Sequence, residues 1–241
     1  MLYKTGGIVL HKSKYSESSL IVRIYTRQFG LQSYLVPGAR SRKSKTKAGW
    51  FQAFNQLDLV VYRSERSTLH RIKEIKLEVP YQSIPFDPSR QSMAFFLAEV
   101  IYKSLEEDEP DEDLFDFLAD CGNYLDQVAA CPFNFHLWFL VKFAGFLGFA
   151  LQEQQHPNEM YFDLREGRFS SFSPTHRDVA DGQAVEHLGA ISGTKFAAIG
   201  GLKFSRTERK SLLDLLLRYY QVHLEHFKEL KSRRVLEALS E

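Results

Sequence analysis

Five of the eight residues from 40 to 47 are basic: Arg40, Arg42, Lys43, Lys45 and Lys47. The stretch follows the turn-forming pair Pro37-Gly38 and carries no apolar side chain except Ala39 and Ala48 at its edges. The chemistry open to such a segment is neutralisation of phosphates, because a long basic loop can reach a negatively charged backbone and order on it. The bland alternative is a solvated loop, but five like charges in so short a stretch otherwise only repel one another. A second set lies at 23–27. Arg23, Tyr25 and Arg27 alternate, so on a strand they share one face, with Val22, Ile24 and Thr26 opposite. Tyr34 is placed to join them from the next strand. Cations interleaved with aromatic rings suit base stacking combined with phosphate neutralisation. The competing reading puts Tyr25 in the core with the arginines snorkelling around it. Arg63, Arg66, Arg71 and Lys73 flank the last inter-strand turn and either extend the same groove or serve solubility.

Three further clusters need weighing. Lys203, Arg206, Arg209 and Lys210 surround the start of the final helix. Cations there oppose the helix dipole and require another reason, such as contact with DNA or with an acidic partner peptide; ordinary surface charge is the alternative. The acidic run 106–113, with seven acids around Pro110, lacks the spacing of a calcium loop and reads as a solvated turn. Cys121 and Cys131 form no CxxC pair and read as small buried hydrophobes. The sequence contains no GxxxxGK[ST], HExxH or GxSxG. No catalytic constellation, metal site or cofactor site is therefore expected. A nuclease would need clustered carboxylates beside the basic face, where residues 1–80 hold only Glu17, Asp58, Glu65, Glu74 and Glu78.

The elements that must position these residues fall into two kinds. Residues 7–10, 20–26, 31–37, 57–62 and 69–79 are short runs rich in β-branched and aromatic side chains, separated by turn signals. Five strands in about 80 residues predict a small closed barrel, because closure removes exposed edges. An OB-fold is the standard solution, with an SH3-like barrel as the alternative. From Pro88 onward the apolar period becomes helical, predicting helices near 93–101, 114–125 and 133–151. A small hairpin with Gly167 in its turn is expected at 161–169. A last helix should start at Ser205, where Ser205 and Glu208 fit a capping box. The sequence thus predicts an α+β protein with a barrel domain at 1–80 and a mostly helical domain at 81–241.

Charge divides the same way. Residues 1–80 carry fifteen Lys/Arg against five Asp/Glu, and residues 81–241 carry sixteen against twenty-five, so the net charge of +1 conceals a strongly basic first part. Such asymmetry points to a polyanion partner for one half only, most commonly nucleic acid. The apolar run 133–151 contains Asn134, His136 and Lys142 and predicts a buried core helix rather than a membrane span. Few cysteines, and an apolar stretch at 8–10 cut short by His11 and Lys12, predict a cytoplasmic protein without a leader.

The order of several short patterns is itself informative. These are Gly7-Ile8-Val9-Leu10, Tyr15-Ser16-Glu17-Ser18-Ser19-Leu20-Ile21-Val22, Gly30-Leu31, Gly38-Ala39-Arg40, Phe51-Gln52-Ala53-Phe54, Leu69-His70-Arg71-Ile72, Phe146-Leu147-Gly148-Phe149 and Leu230-Lys231-Ser232. Together they resemble the RecO family of bacterial recombination mediators over nearly the whole chain. That resemblance implies an N-terminal OB-fold and a helical C-terminal domain. It further implies binding of single- and double-stranded DNA and annealing of complementary strands. The implied partners are RecR, the single-strand-binding protein SSB and, indirectly, RecA, with no enzymatic activity and a place near the nucleoid. The acidic, apolar tail of SSB would suit a groove edged by Lys203, Arg206, Arg209 and Lys210. Many members of the family carry four cysteines as a zinc site after the apolar helix. The corresponding segment here, 152–182, has none, so a metal-free hairpin is expected. The rival readings are an OB-fold module for structured RNA, associated with ribosomes or tRNA, and a protein-only adaptor.

Overall fold

The computed structural model describes residues 1–39, 48–64, 66–105 and 109–239. Five strands form a closed barrel: β1 (Leu2–Lys14), β2 (Leu20–Thr26), β3 (Gly30–Val36), β4 (Gln56–Tyr62) and β5 (Leu69–Leu77). Their order around the barrel is β1-β2-β3-β5-β4, antiparallel throughout except for the β3–β5 pair. This is the OB topology. Alternation decides the interior: Leu20, Val22 and Ile24 of β2 meet Leu57, Leu59 and Val61 of β4, Tyr34 and Val36 of β3, and Phe51 from a 3-10 turn at Ala48–Phe51. β1 is longer than its apolar run suggests, because it pairs with β2 at one end and β4 at the other.

Two compact units divide the chain, Met1–Ala129 and Ala130–Glu241. The first therefore continues past residue 80. It includes α1 (Pro88–Ser104) and α2 (Glu112–Gln127), both of which pack against β1. Asp87 caps α1 by accepting from the Ser89 and Arg90 amides, and Asp111 caps α2 by accepting from the Leu114 amide. Gly30, at φ +62°, turns β2 into β3, and a side chain there would meet the Glu109 backbone at 2.5 Å. Glycine thus lets the connection before α2 lie directly against the barrel.

The second unit is built around α3 (Phe135–Phe146), which is buried from Phe135 to Val141. Two of its polar groups find partners within the unit: Lys142 Nζ donates to the Ser192 carbonyl at 2.8 Å and Trp138 Nε1 to the Thr194 carbonyl at 2.8 Å. The sequence predicted this helix to run to 151. It ends at Phe146 because Gly148 takes φ +85°, a left-handed conformation that stops the helix. Among the described residues no helix is long and apolar enough to cross a membrane. A three-stranded sheet follows, with β6 (Tyr161–Asp163) between β7 (Arg168–Ser170) and β8 (Val179–Ala180). Then come α4 (Gln183–Ser192), α5 (Arg206–His223) and α6 (Arg233–Leu239). The expected hairpin has Gly167 in its turn at φ +65°, and the expected capping box at Ser205 and Glu208 is present.

Candidate nucleic-acid interface

Arg23, Tyr25 and Arg27 do share the outward face of β2, but helices of the same unit cover that face. Arg23 lies over the Tyr102 ring of α1 at 5.8 Å, and Tyr102 stacks on His11 with ring centroids 4.9 Å apart. Tyr25 is only 1% exposed, and its hydroxyl donates to the Asp111 carbonyl at 3.3 Å while accepting from the Asp111 amide at 3.1 Å. Burial pushes the Tyr25 phenol up to about 12, against the hydrogen bond with the Asp111 backbone, which lowers it. Arg27 pairs with Asp116 and Glu112 of α2 and lies over the Phe115 ring at 4.4 Å. Tyr25 is thus no stacking platform, and the two arginines are already engaged.

Tyr34 does not join that face either. It is paired with Val22, so both point into the barrel, and Tyr34 is 1% exposed in the core. Its phenol is raised far above its usual range by burial. The expectation failed on parity: residues directly opposite across a sheet share a face, and Val22 faces inward.

The remaining barrel cations lie elsewhere. Arg63 is half-buried over the Phe29 ring at 4.8 Å, and Arg66, Arg71 and Lys73 are exposed. Lys73 makes a 3.6 Å ion pair with Glu74. Arg71 sits directly opposite Tyr62, which sits opposite Leu2. Tyr62 is 49% exposed, a residue that the sequence reading passed over. The signal was available in the parity of 57–62: Leu57, Leu59 and Val61 face in, so Asp58, Val60 and Tyr62 face out. Arg40, Arg42, Lys43, Lys45 and Lys47 lie outside the described residues. Their flanks do not: the Ala48 amide donates to the Ala39 carbonyl at 3.2 Å, and Ala39 is buried in the barrel core.

In the second unit, Arg206, Arg209 and Lys210 line a cavity of about 130 Å³ with His136, Leu213, Leu236 and Glu237. Lys203 is exposed and outside that lining. Arg209 donates to the Phe204 carbonyl at 2.7 Å and lies over the Phe133 ring at 5.7 Å. Burial first, and then the neighbouring Arg206, hold its guanidinium below the usual range. The Glu237 carboxylate is engaged by Arg233 at 2.7 Å. The cavity therefore offers crowded positive charge over an apolar floor of Leu213 and Leu236, an arrangement that an anion relieves.

The segment 152–182 does not fit a zinc ion. It has no cysteine, and among the described residues no group of three or more His, Cys, Asp or Glu is placed to hold a metal. Its turn is held instead by Asp163, whose carboxylate accepts from the Arg165 and Glu166 amides at 2.9 and 3.1 Å and meets His176 at 3.2 Å. These bonds hold the Asp163 carboxyl below its usual range despite the desolvation that opposes them. Of the two cysteines, Cys121 is buried, which raises its thiol, and Cys131 is partly exposed.

Comparison with known proteins agrees with this architecture. Residues 1–81 match the family described as "Recombination protein O N terminal", and residues 85–234 match "Recombination protein O C terminal". The chain belongs to the RecO family. It is 36% identical to a DNA repair protein RecO of Phocaeicola vulgatus over 99% of both chains. It is 36% identical to that of Christiangramia forsetii over 98% of both, and 35% identical to one of Bacteroides fragilis over 99% of both. The two RecO segments meet between β5 and α1, whereas packing places α1 and α2 with the barrel.

Proposed function

We propose that this RecO-family chain is a DNA-repair mediator that binds single- and double-stranded DNA and brings complementary strands together without catalysing a reaction. The observation that carries this reading is the basic segment 40–47, whose two flanks are tied to each other at the barrel rim. A cation-rich segment joined to a closed barrel neutralises phosphates on two strands. Their mutual repulsion falls, and complementary bases can meet. RecR and RecA enter as partners by family membership alone. The cavity lined by Arg206, Arg209, Lys210, Leu213 and Leu236 suits the acidic, apolar tail of SSB, which would bring the protein to coated DNA. Reversing one exposed charge there, Lys210→Glu, is expected to weaken binding of such a tail peptide by about tenfold.

The decisive test is binding to fluorescent single-stranded DNA across a salt series. The comparison is between wild type and a variant with Arg40, Arg42, Lys43, Lys45 and Lys47 changed to Ala. With about four phosphate contacts at roughly 0.7 each, the variant's log–log salt slope should be shallower by about 3. Wild-type protein that shows no salt-sensitive binding would remove this reading and favour a protein-only adaptor. A strong preference for folded RNA would favour the RNA-binding module.

A further inference from the structure

An OB barrel ordinarily takes oligonucleotides on its strand 2–3 face and on the loops joining strands 1–2 and 4–5. Here the outward side of β2 is engaged by α1 and α2 through Tyr102, Asp111, Phe115 and Asp116. The outward side is open instead at the Leu2–Lys4 end of β1, the Val60–Tyr62 end of β4 and the Arg71–Glu74 stretch of β5, beyond the part of β1 and β4 that the helices cover. Its outermost rung runs Leu2, Tyr62, Arg71, and the next runs Lys4, Val60, Glu74. Leu2 is 47% and Tyr62 49% exposed, and Lys4, Arg71 and Glu74 are exposed too. β5 carries a bulge opposite Val60 and Val61, and Lys73 is the extra residue in it. Bulges re-aim side chains, and this one adds a cation beside the rung. The rung also sits at the mouth of the β4–β5 connection, which carries exposed Arg66.

Chemistry selects the occupant of this face. Its apolar area is small, carried by Leu2, Tyr62 and the partly exposed Val60, too little to hold a protein partner by burial. Charge is the larger feature: Lys4, Arg71 and Lys73 stand on these two rungs and the bulge with one acid among them, Glu74, which pairs with Lys73. Neighbouring strands lie about 5 Å apart, so cations on β1 and β5 reach phosphates on either side of a base resting on Tyr62. The ring can stack only on a base that is not already stacked within a duplex.

We propose that Tyr62 is a stacking platform for an unpaired base of single-stranded nucleic acid, with Lys4, Arg71 and Lys73 holding the flanking phosphates. The proposal rests on the nucleic-acid reading above and moves the contact from the usual strand 2–3 face to the β1–β4–β5 face.

The test uses the full chain and single-stranded oligonucleotides carrying 5-iodouracil. Irradiation followed by peptide mapping should place a cross-link on Tyr62. Tyr62→Ala should lower single-strand affinity about tenfold without changing the salt slope, and leave affinity for blunt duplex unchanged. Tyr62→Phe should restore binding, because the ring and not the hydroxyl does the stacking. Arg71→Ala should make the salt slope shallower by about 0.7. Salt-sensitive binding by wild type that is unaffected in Tyr62→Ala, with cross-links mapping elsewhere, would overturn the platform and leave the nucleic-acid reading intact. If wild type binds no nucleic acid, both fall. The cross-link map needs only wild-type protein, so it decides the matter even if Tyr62→Ala fails to fold.

Discussion

Arg90→Ala is expected to lower the stability of the Met1–Ala129 unit by about 3–5 kcal/mol, the range for removing one partner of a buried charged network. Arg90 lies in the first turns of α1, is 5% exposed, and closes the C-terminal end of α2. Its guanidinium donates to the Leu125 carbonyl at 2.6 Å, Asp126 at 3.2 Å, Val128 at 2.7 Å and Ala129 at 3.3 Å. Its Nε donates to the Asp87 carboxylate at 3.2 Å. The end of a helix leaves four carbonyls without intrahelical partners, and here one side chain serves those of Leu125, Asp126 and the cap residue Val128, with Ala129 just beyond. The planar fork matters, so Arg90→Lys should recover only part of the loss. Asp126 completes the knot from the other side by accepting from the amides of Gln82, Ser83 and Ile84. Denaturant unfolding measures the effect, with Arg66→Ala as an exposed control expected to stay within about 0.5 kcal/mol of wild type. A loss for Arg90→Ala no larger than the control's would show that water replaces the guanidinium without cost.

Acidification from pH 7 to pH 5 is expected to cost the second unit about 2 kcal/mol through His136 alone. Complete burial, with Arg209 nearby, pushes the imidazole from its ordinary 6.5 down to about 3, and a hydrogen bond with the Phe133 backbone only partly opposes this. The folded state therefore holds the ring neutral. In the unfolded chain the ring binds a proton below about 6.5, so the stability it contributes is fully present above that pH. It is lost progressively as pH falls toward about 3, at about 1.36 kcal/mol per pH unit. The depressed carboxyls of Asp116, Asp163, Asp178 and Glu208 shed their contributions only in the range where free carboxylates protonate. The interval from pH 6.5 to 5 thus separates His136 from these carboxyls, and the comparison with His136→Gln separates it from the other histidines. Urea unfolding at several pH values should show the slope in wild type and a flatter line in His136→Gln. Equal slopes in both would mean that His136 takes up its proton without unfolding.

The strands could be read from the sequence because each carries its signal locally. Alternation over 20–26 and 57–62 identifies which residues face in, and β2 appears with the bounds that its apolar run suggests. The capping box at Ser205 is also local, since the two residues that exchange bonds are three apart. Local signals fail where parity passes from one strand to the next. The placement of Tyr34 depended on its pairing with Val22, which the intervening turn decides and composition does not reveal.

By itself, the sequence determined the α+β class, the five-stranded barrel, the basic first part with its segment 40–47, and the lack of zinc-binding cysteines. These follow from local periodicity and from which residue types are present. Tertiary structure alone decided which outward faces meet solvent. Tyr25 and Asp111 are 86 residues apart in the chain, yet they bond to each other and close the β2 face, while Tyr62 is left open. The physical reason is that alternation assigns a side chain to a face, whereas only long-range packing determines whether water, a helix or a ligand covers that face.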